Sequence, residues 1–158
     1  MEFFRHLESA AWVKFYATSA ILAPGIMALH YFTFFITVGT IVVVDLRLLE
    51  VVGTRRSLRQ VADQIFPWMW TALVFAIITG FLLFNTEADD FAAASTFWAK
   101  LIVMVVGIVL AIVTQRRIPD WDQKPSVPLA AKAMALFSIL LWLGVILVAA
   151  EIAAYNSV

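Results

Sequence analysis

From Gly25 to Val44 the chain reads GIMALHYFTFFITVGTIVVV, twenty residues in which His30 is the single ionisable side chain. At about 1.5 Å rise per helical residue, such a run covers the roughly 30 Å hydrocarbon core of a bilayer. This stretch reads as a membrane span, and it decides what the rest of the chain must be. With 63% of the 158 residues hydrophobic and only 14% charged, the chain is expected to be an integral membrane protein with a single domain and a few spans. A separate soluble catalytic domain does not fit in that length.

Three further apolar runs fit the same reading, giving an all-α integral membrane four-helix bundle with spans at about 24–49, 67–84, 97–114 and 130–154. Short connections make an up-down-up-down topology the economical one. Residues 1–18 are expected to form a short interfacial amphipathic helix, with Phe3, Phe4, Leu7, Ala11 and Phe15 on its apolar side. Glu2 and Glu8 interrupt any signal-peptide pattern. Pro24-Gly25 marks a break before span one. Ser57 is expected to start a small amphipathic helix carrying Leu58, Val61, Ala62 and Ile65, separate from a second span that begins near Pro67. Ala72, Ala76 and Gly80, and likewise Gly107 and Ala111, are small-residue faces for close helix contact. Trp68 and Trp70 suit an interfacial belt. Span three is expected to stop at Gln115-Arg116-Arg117.

Charge sets the orientation. Arg47, Arg55, Arg56, Arg59, Arg116, Arg117, Lys124 and Lys132 flank the connections after spans one and three, whereas the connection between spans two and three is acidic, with Glu87, Asp89 and Asp90. By the positive-inside rule the arginine-rich connections face the cytoplasm of a bacterial inner membrane, and both termini are periplasmic. The net charge of zero points away from nucleic acid, and the expected surroundings are lipid, a second copy of the chain, or a membrane or periplasmic protein.

The absence of cysteine excludes disulfides, thiolate chemistry and iron–sulfur clusters. His30 is the central candidate, since an ionisable residue at membrane depth is costly unless partnered. Met27, His30, Thr33, Thr37 and Thr40 share one helical stripe, which is expected to face protein. The imidazole suits either a plain hydrogen bond to a neighbouring helix or the axial position of a haem b or a copper site, with Met27 and Met104 as soft ligands. Lys100 and Glu151 are placed to pair across the outer half of the bundle. Asp45 and Arg47, with Arg55 close by, read as an interfacial salt-bridge network that holds the inner end, or as a binding place for anionic headgroups.

His30, Gly39 and Asp45-Leu46-Arg47-Leu48-Leu49, then Trp70, Thr79-Gly80, Leu83-Phe84 and Phe97-Trp98-Ala99-Lys100, resemble the pattern of a family of small bacterial four-span proteins whose function is unassigned. The layout is more distantly similar to the membrane domain of copper-resistance D proteins and to small b-type cytochromes. That resemblance implies an inner-membrane location and a copper or haem connection through His30. Three functions stay open: a membrane subunit in redox or metal handling with a partner, a cofactor-free scaffold or assembly subunit, and a proton- or ion-coupled transport component. Activity as an enzyme on its own is not expected, because no acid–base constellation is visible.

Overall fold

The computed structural model describes residues 4, 6 and 8–155, apart from the side chains of 148–155. Its elements are α1 (Ala11–Ala17), α2 (Leu22–Leu48), α3 (Leu58–Thr86), α4 (Ala88–Ala93), α5 (Ser95–Asp122) and α6 (Leu129–Tyr155). The described residues are all helix and connection, with no strand. α2, α3, α5 and α6 are each long and apolar enough to cross a membrane. α2 packs on α3, α3 on α5, α5 on α6, and α6 returns to α2, so the four long helices form a ring in chain order around a shared axis. Phe32, Phe35, Phe81, Ile102 and Leu140 are among the large apolar residues left exposed. That outer surface suits lipid, where apolar exposure carries no cost.

Inside the ring the buried positions follow helical spacing. On α2 they include Thr33, Thr37, Ile41, Val44 and Leu48, and on α3 Leu58, Ala62, Phe66, Met69, Ala72 and Ala76. Small residues bring the backbones close. A Cβ built on Gly107 of α5 would lie 2.9 Å from both Leu141 Cδ2 and Trp142 Cζ2 of α6. That face therefore tolerates no side chain without the helices moving apart.

Several boundaries differ from the sequence reading. The N-terminal segment does not run as one helix to residue 18, because Ala10 has an extended backbone (φ −62°, ψ 137°) and α1 starts after it. Of the apolar side expected there, Phe15 is 73% exposed. Val13 and Tyr16 are the buried residues of α1, and the Tyr16 hydroxyl donates to the Leu82 carbonyl at 2.7 Å. Residues 1–3, 5 and 7 of the expected interfacial helix, Phe3 and Leu7 among them, lie outside the described residues. The break before span one falls at residues 18–21, where Ser19 Oγ accepts from the Leu22 amide, and Pro24 sits within the first turn of α2.

The small helix expected after Ser57 and the second span are one continuous helix. Ser57 does cap it, in a reciprocal box with Gln60, but Pro67 is carried inside α3. Pro67 lacks the amide hydrogen for the helical bond four residues back, and packing on both sides carries the helix through. The same correction applies at span three. α5 continues through Arg116-Arg117 and Pro119 to Asp122, because Ile118 and Trp121 are buried and hold its last turns against the bundle. Asp122 Oδ1 accepts from the Leu58 amide at 2.6 Å and joins the C-terminus of α5 to the N-terminus of α3.

Candidate functional site

Two polar places lie within the ring. The first is His30 on α2. Its Nδ1 lies 3.0 Å from the Ala76 carbonyl and 3.1 Å from Thr79 Oγ1 on α3. A Cβ on Gly80 would come within 3.0 Å of the ring's Cε1, so the absence of a side chain at Gly80 makes room for the imidazole. With the Thr79 hydroxyl donating to Phe75 O at 2.7 Å, Nδ1–H bonding the Ala76 carbonyl is the arrangement that satisfies every group. Of the stripe expected to face protein, Thr33 and Thr37 are buried and Thr40 is half-buried. Their hydroxyls donate back to the carbonyls of Leu29, Thr33 and Ile36. Met27 is 48% exposed and does not join the inward side of the stripe.

The second place is Asp45, nearer the arginine-rich end formed by the connections 49–57 and 123–128. Asp45 is 3% exposed. Ser138 of α6 lies beside its carboxyl group at the same small cavity, and one carboxylate oxygen, Oδ2, is buried with no hydrogen-bond partner. Beside it is a cavity of about 10 Å³, about the volume that one water-sized group needs. Asp45, Thr114 of α5 and Ser138 supply its polar lining, and all three are buried. Ile41, Phe66 of α3 and Ala111 of α5 make up much of the rest. All four long helices contribute to this chamber, and no basic side chain lines it.

That arrangement corrects the expected Asp45–Arg47 network. Two residues apart on a helix, the two side chains point to different sides. Arg47, also buried, turns toward the loop, where Nη2 donates to the Arg56 carbonyl at 2.7 Å. Arg55 is exposed. The ion pairs among the described residues are Arg59–Asp63, Arg117–Asp120 and Lys132–Glu50. Only the last joins two spans. Glu50 follows the C-terminus of α2 in the left-handed region at φ 61°, with the Val51 amide bonded to the Leu46 carbonyl at 3.0 Å, the position where helices usually place glycine. Its carboxylate accepts from Lys132 Nζ of α6. That bond, more than any other influence, holds the carboxyl below its ordinary value of 4.5.

Of the residues singled out for a cofactor, Met104 is half-buried against the core and Lys100 is half-buried on α5. Lys100 is close enough to His30 for their charges to interact. The expected Lys100–Glu151 pair lies outside the described side chains. Among the described residues no three His, Asp or Glu side chains converge as metal ligands. The Nδ1–H bond to Ala76 leaves Nε2 of His30 as its free donor, while Met27, the thioether expected beside it, faces outward. Thr114 and Ser138 were not singled out from the sequence, although Ser138 is the one hydroxyl in the run AMALFSILLWLGVILVAA, a signal that was there to read.

Fold and site define a small four-span helical membrane protein with a buried carboxylate in its ring. Residues 7–154 match the model of a family of unknown function, DUF6644, and the chain belongs to that family. No curated protein and no solved structure matches it.

Proposed function

We propose that this protein is an ion-binding subunit of the bacterial inner membrane that takes up and releases a cation at Asp45 and works with a membrane or periplasmic partner. The observation that carries the reading is the orphaned Oδ2 of Asp45, on a residue that lines a small chamber to which every span contributes. A buried carboxylate without a counter-charge is expensive and is neutralised by whatever cation the site accepts. In this reading the arginine-rich connections lie in the cytoplasm and both termini in the periplasm. His30, anchored on α3, fixes the register of the outer half. The redox or metal-handling alternative draws no support from the donor geometry of a single chain, and the scaffold alternative leaves the free carboxylate oxygen without a purpose.

The test is thermal melting of the purified full-length chain in mild detergent, across pH and across sodium and potassium concentrations. A cation that binds the folded state raises its stability by mass action. The expected result is an ion-dependent Tm in the wild type that is flat in Asp45→Asn. The same ion dependence in both proteins would remove Asp45 from the account and leave the scaffold.

A further inference from the structure

Resting on that reading of Asp45, we infer that its cation is a proton, and that the proton exchanges with the arginine-rich face alone. The donor set carries the first half. The chamber offers Asp45 Oδ2 and the hydroxyls of Thr114 and Ser138, and its remaining lining residues, among them Ile41, Phe66 and Ala111, bring apolar side chains. A dehydrated metal cation bound by oxygen takes about six or more ligands, twice what these three side chains supply. A hydroxyl, by contrast, both donates and accepts. Thr114 and Ser138 line the same cavity as Asp45, and hydroxyls beside a carboxyl group suit its ionised form as donors and its protonated form as acceptors.

No other titratable group faces the chamber: α3 presents Phe66, α5 presents Ala111 and Thr114, and α6 presents Ser138. The charges nearest the chamber on those elements lie toward the arginine-rich end, whereas Lys100 near the start of α5 and Glu151 near the end of α6 belong to the opposite end. Arg47 is bonded to Arg56 O, Glu50 is bonded to Lys132, and Asp122 is bonded to the Leu58 amide, while Arg116 and Arg117 are exposed just beyond Thr114.

Packing carries the second half. One turn away from that end, Gly107 of α5 and Trp142 of α6 close the axis. Trp142 is 1% exposed, and no Cβ fits between it and Gly107. Toward the arginine-rich end, Asp45 stands one turn from the C-terminus of α2, with Leu48, Leu58 and Ile118 buried at that end. Measured along α2, the shorter way out of the chamber is therefore through the basic end.

Isotope-edited infrared spectroscopy with ¹³C-labelled aspartate, on the full chain in lipid vesicles of determined orientation, tests both halves. The expected result is a carboxylic-acid C=O band that bleaches as pH rises within about pH 4–10, is lost in Asp45→Asn, and shifts in frequency in Ser138→Ala. Replacing sodium with choline at fixed pH should leave it unchanged. A band that responds to sodium at constant pH would overturn the proton and keep the ion-binding reading. A residue 45 signal that responds to neither would overturn both. For sidedness, a pH jump on the arginine-rich side should bleach the band and one on the opposite side should not, until Trp142→Ala opens the axis. Equal response from both sides in the wild type would overturn the one-sided access. Ser138→Ala keeps the first test alive if Asp45→Asn fails to fold.

Discussion

Asp45 of α2 and Ser138 of α6 meet at one small cavity in the interior of a membrane bundle, and one oxygen of the Asp45 carboxylate has no hydrogen-bond partner. The contact joins the first and last spans and places a carboxylate where lipid-facing residues surround the ring. Removing the Ser138 hydroxyl takes a polar neighbour away from a buried carboxyl group, so Ser138→Ala is expected to destabilise by about 1–3 kcal/mol. Asp45→Asn keeps the shape and removes the charge, and it is expected to match or exceed the wild type in stability. Unfolding titrations of the two variants in one detergent check the order. A large loss in Asp45→Asn alone would contradict it.

The Gly107–Trp142 contact makes a second prediction. Gly107→Val inserts a branched side chain where even a Cβ lies 2.9 Å from Leu141 and Trp142, so α5 and α6 must separate. The expected loss is about 1–3 kcal/mol. Gly39→Ala, at an open position, is the control and should fall within about 0.5 kcal/mol of the wild type.

The Glu50–Lys132 pair gives a pH dependence whose sign follows from its direction. The folded-state value of Glu50 is lowered, chiefly by the hydrogen bond from Lys132. Its contribution is therefore complete above the ordinary value of 4.5 and is lost as pH falls through the depressed value. Glu50→Gln should flatten the acid limb of a melting curve between pH 4.5 and more acidic values. Glu50→Gly should do the same while relieving the left-handed backbone.

Tyr16 gives the opposite limb. Burial raises its phenol above the ordinary 10.0, since the charged phenolate is poorly solvated there, and the neutral hydroxyl donates to Leu82 O. Stability from this group is complete below the unfolded value and is lost as pH rises through the folded one. Tyr16→Phe is expected to cost about 0.5–1.5 kcal/mol at neutral pH and to remove part of the alkaline transition. Melts at neutral and alkaline pH check both effects.

Much of the fold was legible because span length and hydropathy are strong local signals. Ser57 as a cap, the small faces at Ala76 and Gly107, and the inward threonines could be read from spacing alone. The helix boundaries were less legible at Pro67 and Pro119, where Phe66, Ile118 and Trp121 bury against other helices and carry the backbone through a residue that locally argues for a stop. The site was half legible. His30 stands out as an ionisable residue in an apolar run, and Thr79 and Gly80 belong to a separate part of the sequence pattern. Asp45 reads as interfacial from its place beside Arg47 in the sequence. A register difference of two residues turned the carboxylate inward and the guanidinium toward the loop, and only the packing of α6 reveals Ser138 as its partner.

The most direct measurement is magic-angle-spinning NMR of the full chain in lipid bilayers, with ¹³C at the Asp45 carboxyl and at Ser138. The account predicts a dipolar contact between Asp45 Cγ and Ser138 Cβ, together with an Asp45 signal that responds to pH. Contacts from Asp45 Cγ to the Arg47 guanidinium or to lipid headgroups, with none to Ser138, would contradict it.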